Sequence, residues 1–301
     1  MSAATRGRIV SIGECMVELS SAGEGLYRKG FAGDTFNTAW YLRRGLGEGW
    51  DVAYHTALGT DTTSDEMLAF FTEAGLATDL VRRIPERMPG LYMIHLDGAE
   101  RSFSYWRDSA AAKLLAADPA QLDAAASSGD AFYFSGITLA ILSPDDRQRL
   151  LDMLGAARAA GKLVAFDPNI RPRLWPEPDV MRAAMEAGAA VASLCLPSFP
   201  DEVAAFGDAS PEATARRYLA CGTGEVVVKD GSDPALVATE GGFETVAARK
   251  VADVIDTTGA GDSFNAGYLA ARLDGAEPRQ AAERGHELAG EVVRHYGALI
   301  R

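Results

Sequence analysis

Short apolar runs of strand length alternate with segments of helical character along most of this chain. The strand-like runs cover residues 8–13, 52–59, 131–137, 163–167, 191–196 and 225–231. Between them lie segments with apolar residues at helical spacing, such as 144–161, which has a proline near its start and a glycine at its end. Buried strands that alternate with helices form parallel sheets, so the sequence predicts an α/β fold with a mostly parallel, doubly wound sheet.

The length and continuity of the chain favour a single domain. A chain of 301 residues can bury one large α/β core, with or without a small lid, and no repeat or low-complexity linker divides it. We therefore expect one domain over residues 1–301. No apolar run reaches the length of a membrane helix, and residues 1–6 lead into the first strand without an apolar leader, which predicts a cytoplasmic protein without membrane contact.

The charge and the cysteines exclude several classes of function. The formal net charge of −13 argues against binding to nucleic acid or to an anionic membrane. An anionic substrate would therefore have to be attracted by local arginines. Cys15, Cys195 and Cys221 form no Cys-x-x-Cys pair, which argues against structural zinc and against a disulfide framework.

A glycine-rich turn in residues 254–270 separates the end of an expected strand, Val254-Ile255, from the start of a helix. Glycine lets the backbone take unusual angles and lets another molecule approach closely. The N–H groups of Gly259, Ala260 and Gly261 would then face an anion at the helix N-terminus. Asp262, in the first turn, is either a helix cap or a base that accepts a proton from a hydroxyl group.

Two nucleotide-binding motifs are missing from the chain. No Gly-Lys-Ser/Thr follows the glycine turn, so it is not a Walker A loop. No Gly-x-Gly-x-x-Gly follows the first strand, which disfavours a dinucleotide-dependent oxidoreductase.

Residues 88–108 differ in character from the rest of the chain. Two strand-like runs, 90–96 and 101–107, are joined through Asp97-Gly98, which is a hairpin signal. Tyr105 and Arg107 share one face of their strand, and Tyr92 could join them from the paired strand. This face is either a ligand site or a solvated ribbon. The hairpin carries more apolar side chains than a solvated ribbon should, which predicts a homo-oligomer formed through it.

Two further stretches offer polar side chains in defined places. Asn37 lies in the first turn of a helix that starts near Asp34, where its amide could bind a polyol or remain solvated. Arg171 lies between two prolines, which stiffen its loop and hold the guanidinium ready for a carboxylate. That carboxylate could belong to a ligand, to Asp167 or to another nearby carboxylate of the scaffold.

The motif Asp256-Thr257-Thr258-Gly259-Ala260-Gly261-Asp262 resembles the C-terminal signature of the ribokinase-like (PfkB) sugar kinases. Residues 30–44 resemble the N-terminal signature of that family, with Ala32 in place of its first glycine. The resemblance runs over essentially the whole chain. It implies a three-layer α/β/α fold, a β lid formed by about residues 15–31 and 88–108, and transfer of a phosphoryl group from ATP, with Mg²⁺, to a sugar hydroxyl.

The resemblance also implies roles for individual residues. Asp262 would be the catalytic base, and the amides of Gly259, Ala260 and Gly261 would stabilise the transferring phosphoryl group. The implied sugar-binding residues are Gly33, Asp34, Asn37, Tyr92, Tyr105, Arg107 and Arg171. The implied nucleotide-binding residues are Asn169, Ser198, Lys229, Gly231, Gly259, Gly261 and His286. Asp201 is a candidate magnesium ligand, and a monovalent cation could lie near Asp256.

Within the family, residues 13–20 and 171–175 are most similar to members that phosphorylate a keto-deoxy sugar acid, although Trp106 stands where a second tyrosine is expected. Arg107 and Arg171 would then bind the substrate carboxylate and place its far hydroxyl at Asp262. The alternatives are a kinase of a neutral sugar, such as a fructokinase or ribokinase, and a catalytically silent sugar-binding protein on the same fold. The glycine turn followed by Asp262 disfavours the silent protein.

Overall fold

The computed structural model describes residues 7–97 and 100–300. Its strands are β1 (Gly7–Ile12), β2 (Met16–Gly23), β3 (Leu26–Ala32), β4 (Trp50–Leu58), β5 (Val81–Arg83), β6 (Leu91–Asp97), β7 (Glu100–Trp106), β8 (Ala131–Ser135), β9 (Leu163–Asp167), β10 (Leu194–Cys195), β11 (Glu225–Asp230), β12 (Asp233–Thr239) and β13 (Gly242–Val246). Its helices are α1 (Asp34–Gly45), α2 (Thr62–Glu73), α3 (Pro119–Ser128), α4 (Gly136–Ile141), α5 (Pro144–Ala159), α6 (Pro178–Val191), α7 (Phe199–Phe206), α8 (Pro211–Ala220), α9 (Ala260–Leu273) and α10 (Pro278–Val292), with short 3₁₀ turns at Ala111–Leu114 and Pro172–Leu174.

Within these ranges the large sheet has nine strands in the order β13-β12-β11-β10-β9-β8-β1-β4-β5. Neighbouring strands from β11 to β5 pair in parallel, and only the hairpins that add β12 and β13 are antiparallel. The predicted doubly wound, mostly parallel sheet is therefore confirmed. The chain builds outward from β1 on one side through β4 and on the other through β8, and such a switch point opens a ligand crevice at the carboxyl ends of the strands.

The core lies on both faces of this sheet. Successive residues of β1 belong to opposite apolar clusters, with Ile9 in one and Val10 in the other. Phe134 and Phe166, from the neighbouring strands β8 and β9, stack at 4.7 Å between ring centroids in the cluster that contains Val10. A strand buried on both faces has a continuous apolar sequence, which is why these runs do not show the polar alternation of a half-exposed strand.

A second sheet, called the lid below, has the strand order β3-β2-β6-β7 in the described part of the chain. Strands β6 and β7 pair in antiparallel fashion with Tyr92 opposite Tyr105, so the predicted hairpin is confirmed. Gly98 of its predicted turn lies outside the described residues. Strand β3 contacts the body through Phe31, whose ring lies 5.4 Å from that of Phe70 on α2, and through an ion pair between Lys29 and Glu66.

Helix α9 is held by close packing against α10. A Cβ atom placed on Gly267 would lie 2.8 Å from the carbonyl oxygen of Arg284, so only glycine allows the two helices to approach this closely. Since this contact and the packing against α1 fix the position of α9, they also fix its N-terminus at the crevice. Across residues 7–97 and 100–300, no helix combines the length and apolar character that crossing a bilayer requires.

Candidate active site

The glycine turn forms the N-terminus of α9. Gly259 is the N-cap, with φ of 78°, and a Cβ atom there would lie 3.0 Å from Ala298, so a side chain would be both strained and crowded. The strand predicted to end at Val254-Ile255 is wrong. That segment is an irregular loop in which the Ile255 N–H donates to the carbonyl oxygen of Val293 at 2.8 Å, and both β-branched side chains are exposed.

The three amides of this turn do not all face outward. The Ala260 N–H donates to the carbonyl oxygen of Thr257 at 3.2 Å and closes the turn, so the expectation that it would face an anion is wrong. Gly261 is exposed at the start of the helix, where the amide and the helix dipole favour a negative charge.

Asp262 is held by the first turn of α1. Its Oδ2 accepts a hydrogen bond from Nδ2 of Asn37 at 2.8 Å, and its carbonyl oxygen accepts one from the Thr38 hydroxyl at 3.2 Å. The side chain keeps some exposure toward the crevice, but burial, and then the charge of Asp34, raise the pKa of Asp262 to about 7, against the hydrogen bond from Asn37. The carboxylate bonds to another helix instead of capping its own, which supports the base over the cap.

Three of the residues predicted to bind the sugar, Gly33, Asp34 and Asn37, lie at the start of α1 next to Asp262. The Gly33 N–H donates to Oδ1 of Asn37 at 3.4 Å, and Nδ2 of Asn169 donates to Oδ2 of Asp34 at 2.8 Å. Asn169 has a left-handed backbone, with φ of 36°, which turns it back from β9 toward α1. The family resemblance assigned Asn169 to the nucleotide, but the structure places it against Asp34, a residue assigned to the sugar.

Ala32, which replaces a glycine of the family signature, ends β3 with an ordinary backbone. Among the described non-glycine residues only Glu24 and Asn169 have positive φ, so Ala32 introduces no strain. The neighbouring Gly33 is required for a different reason. A Cβ atom there would lie 2.1 Å from the carbonyl oxygen of Glu14, so two chain segments touch at this point.

A buried polar network supports the glycine turn from below. Nζ of Lys229 donates to Oδ2 of Asp167 at 3.1 Å and to Oδ1 of Asn265 at 2.9 Å. Nδ2 of Asn265 donates to the same Asp167 oxygen at 2.6 Å and to the Tyr133 hydroxyl at 3.0 Å. A Cβ atom placed on Gly261 would lie 3.7 Å from Nζ of Lys229, which puts this cation directly beneath the turn.

Sequence reasoning did not assign Asn265, Tyr133 or Thr38 to the site. The hydroxyl oxygens of Thr38 and Tyr133 lie 3.3 Å apart, so the network continues to α1. Thr38 follows Asn37 directly, and Asn265 lies one helical turn after Gly261 with mainly apolar residues following it. A buried asparagine at helical spacing from the turn was the signal that could have found it.

The two arginines predicted to bind a carboxylate each have an acidic partner in the chain. Nε and Nη2 of Arg107 both contact Oε2 of Glu14, at 2.5 Å each. Nη1 of Arg171 lies 3.6 Å from Oδ2 of Asp201, and the Arg171 side chain is half exposed. The sequence left Asp167 or a nearby carboxylate as scaffold partners of Arg171, and the structure shows the nearby carboxylate of Asp201, whereas Asp167 binds Lys229. Convergence of the two arginines on one ligand stays a prediction.

The lid contributes tyrosines to the same face as Arg107. The hydroxyl of Tyr92 donates to Glu18 on β2, and the rings of Tyr92 and Tyr105 lie 6.0 Å apart. Burial and the nearby Glu18 carboxylate raise the pKa of Tyr92, so it is a neutral donor. Trp106 points to the opposite face, as alternation along β7 requires, and it is exposed.

A cavity of about 360 Å³ lies between residues 249–253 and α10. His286 forms part of its wall, where its Nε2 contacts the carbonyl oxygen of Val246 at 3.1 Å and its ring packs edge-on against Phe264. Burial lowers the pKa of His286, so the imidazole is neutral. The volume of this cavity suits a nucleobase or another small ring system.

Ser198 and Gly231 lie at the carboxyl edge of the large sheet, as Lys229 does. Ser198 forms a parallel bridge with Lys229, and Gly231 turns the chain between β11 and β12 with φ of 57°. These positions border the same edge of the sheet as the glycine turn.

The acidic residues considered for metal binding have different surroundings. Asp201 is partly exposed beside Arg171, and burial raises its pKa. Its neighbour Glu202 is buried against Arg217 and Tyr218 and belongs to the scaffold. Asp256 accepts hydrogen bonds from the N–H groups of Thr258 and Gly297.

Within the described ranges no three His, Cys, Asp or Glu side chains form a metal-binding group. A single carboxylate at Asp201 fits a magnesium ion that is held mainly by nucleotide phosphates and water.

Comparisons with known proteins agree with this architecture. Residues 6–300 match the family described as pfkB family carbohydrate kinase. A 2-dehydro-3-deoxygluconokinase from Dickeya dadantii (strain 3937) is 43% identical over 303 aligned residues, which cover 98% of this chain and 97% of that protein. The crystal structure of a PfkB protein from Polaromonas sp. JS666 is similar with a TM-score of 0.86, 28% identity and 97% of each chain covered. A putative ribokinase II from E. coli, solved in complex with ATP and Mg²⁺, has a TM-score of 0.83 and 22% identity over 97% of this chain and 94% of that one.

Proposed function

The chain belongs to the pfkB family of carbohydrate kinases, and from this we propose that it transfers the γ-phosphoryl group of ATP to the terminal (C6) hydroxyl of 2-dehydro-3-deoxygluconate. The observation that carries the proposal is the position of Asp262 beside the glycine turn, with a pKa raised to about 7. The substrate is supported by the 43% identity to the Dickeya enzyme and by Arg107 and Arg171, the two arginines that we expect to bind its carboxylate.

The chemistry assigned to the protein is proton removal and charge stabilisation. Asp262 accepts the proton of the attacking hydroxyl, and Asn37 holds its carboxylate in place for that step. The amides of Gly259 and Gly261, with Lys229 beneath them, stabilise the charge that develops on the transferred group. Mg²⁺, when bound with ATP, neutralises the phosphates, and Asp201 is the carboxylate that would reach it through water.

The acid group of the substrate is the part that separates this proposal from a neutral-sugar kinase. Arg107 and Arg171 supply two guanidinium groups that can bind a carboxylate. The neutral substrate of a fructokinase or ribokinase would offer no carboxylate to these groups. A first experiment measures ATP consumption over a panel of sugar acids and neutral sugars. Turnover on the keto-deoxy acid above all others supports the proposal, and preference for a neutral sugar overturns it.

A second experiment uses Arg171→Ala. We expect kcat/KM for the acid to fall about 10²-fold, since truncating a guanidinium that binds a carboxylate costs several kcal/mol. For a neutral analogue the loss should be much smaller. Arg173→Ala, an exposed arginine two residues further on, is the matched control and should change neither value. Equal losses on the acid and on the neutral analogue would show that Arg171 is structural.

We also propose assembly through the lid. Leu26, Phe103, Tyr105 and Trp106 are 43–65% exposed, an apolar group that association would cover. A homo-oligomer by light scattering at micromolar concentration supports this, provided that Trp106→Glu shifts the protein to monomer. A monomer mass for the unchanged protein contradicts it.

A monovalent cation near Asp256 is proposed as well. The Asp256 carboxylate joins the loop before the glycine turn to Gly297, so a cation there would steady the turn. Activity that rises with K⁺ at constant ionic strength supports the proposal, and indifference to the cation contradicts it.

A further inference from the structure

Glu14 carries a buried carboxylate oxygen that has no hydrogen-bond donor among residues 7–97 and 100–300. Its side chain is 1% exposed and lies just after β1, at the carboxyl edge of the large sheet. Oε2 receives both contacts from Arg107, whereas Oε1 is buried and has no partner within the described structure. Burial raises the pKa of Glu14, and the Arg107 guanidinium opposes that rise and favours the ionised form.

The contact uses one edge of the guanidinium. Arg107 meets Glu14 through Nε and Nη2, which form the side edge of the planar group. A guanidinium has five N–H donors in a rigid fork, so the end edge, which includes Nη1, stays available for a second carboxylate. The pair therefore orients Arg107 without using all of its donors.

Glu14 also lies where the start of α1 and the lid meet. A Cβ atom placed on Gly33 would lie 2.1 Å from the Glu14 carbonyl oxygen, and one placed on Gly90 would lie 2.8 Å from Oε1. Gly33 precedes Asp34, and Gly90 precedes β6, so the backbone of Glu14 contacts one binding segment and its carboxylate contacts the other. A shift of Glu14 would disturb both.

We propose that Glu14 is a positioning residue for Arg107, holding the Nε edge of the guanidinium so that the opposite edge faces the carboxylate of the sugar acid. The inference rests on the proposed function, because it assumes an acidic substrate. A long arginine side chain that is fixed before binding loses less conformational freedom when the ligand arrives. Glu14 should therefore act mainly on the affinity for the acid and little on the chemical step.

The test compares Glu14→Gln with Glu66→Gln. Both remove one negative charge from an ion pair between the lid region and the body, but Glu66 pairs with Lys29, outside the sugar site. We expect Glu14→Gln to raise the KM for 2-dehydro-3-deoxygluconate about tenfold with kcat changed less than about threefold. Glu66→Gln should change neither. Glu14→Asp, which keeps the charge, should recover part of the lost affinity.

Glu14→Gln and Glu66→Gln are then repeated in an Arg107→Ala background. If Glu14 acts through Arg107, Glu14→Gln has no further effect on the KM for the acid there, because coupled residues are non-additive. An unchanged or lowered KM in the single variant, or an equal rise in both backgrounds, overturns the inference. Thermal unfolding and the KM for ATP identify general damage to the fold. If Glu14→Gln shows such damage, the KM of Glu14→Asp for the acid is compared with that of the unchanged enzyme instead. If the unchanged enzyme ignores the acid, the proposed function fails instead.

Discussion

The floor of the site and the lid hold their charged side chains in opposite ways. Beneath the glycine turn, Lys229 and Asp167 have side chains that are only 9% and 4% exposed, and both are bound further by Asn265. Where the lid meets the body, Lys29 and Glu66 are 46% and 47% exposed and, among the charged groups of the described residues, bind only each other. Buried pairs need every partner in place, whereas exposed pairs are screened by water.

The difference matches the tasks of the two regions. Phosphoryl transfer requires a fixed arrangement of base and donors, so a rigid, desolvated floor suits it. A lid has to let substrate enter, and elements that move are held by few buried contacts. Glu14 stands between them, since it is buried like the floor but binds an arginine that follows the last lid strand.

The largest effect expected is from Asp262→Asn, which removes the proposed base while keeping the shape of the floor. We expect kcat to fall about 10²–10⁴-fold, with binding of sugar and nucleotide retained, because the amide cannot accept the hydroxyl proton. Steady-state kinetics and calorimetric binding test this. A variant with nearly normal kcat would show that the carboxylate has only a structural role.

Lys229→Met should destabilise the protein strongly. It leaves Asp167 buried without its cation, and breaking a buried pair in this way costs about 3–5 kcal/mol. Urea unfolding followed by circular dichroism gives the change in the free energy of unfolding. A loss below about 1 kcal/mol would mean that the floor is no more dependent on its ion pair than an exposed surface is.

The pH dependence tests the raised pKa of Asp262. Only the ionised carboxylate accepts a proton, so kcat/KM should fall about tenfold per pH unit below pH 7 and level off above it. Since this pKa is higher in the folded protein than in the unfolded chain, ionisation of Asp262 opposes folding. The unchanged protein should therefore lose stability relative to Asp262→Asn as the pH rises from about 4 to 7. A profile that stays flat down to pH 5 contradicts the assignment.

The smallest effect is expected from Lys29→Met on the lid. Its partner Glu66 is exposed and remains solvated, so the free energy of unfolding should change by about 0–1 kcal/mol. The same substitution type at Lys229 is the comparison. If both variants lose equal stability in parallel unfolding experiments, the contrast between floor and lid is wrong.

Local sequence located the glycine turn at the start of α9, although two local predictions failed. The β-branched pair Val254-Ile255 looks like the end of a strand, but it lies outside the sheet because the chain there crosses from β13 to α9 and bonds to Val293 at the end of α10. Ala260 is a second example. The sequence gives its position in the motif, but the direction of its N–H depends on how the turn closes onto Thr257.

The sequence by itself determined the alternation of strands and helices and the position of the glycine turn with Asp262 beside it, because those depend on neighbouring residues and on the periods of helix and strand. Only the tertiary structure decided the partners. Asn37 and Asp262 are 225 residues apart in the chain, and Arg107 and Glu14 are 93 apart. Periodicity tells which face a side chain occupies. Which charged group lies opposite that face depends on how distant elements pack. That packing sets the pKa of Asp262 and the orientation of Arg107.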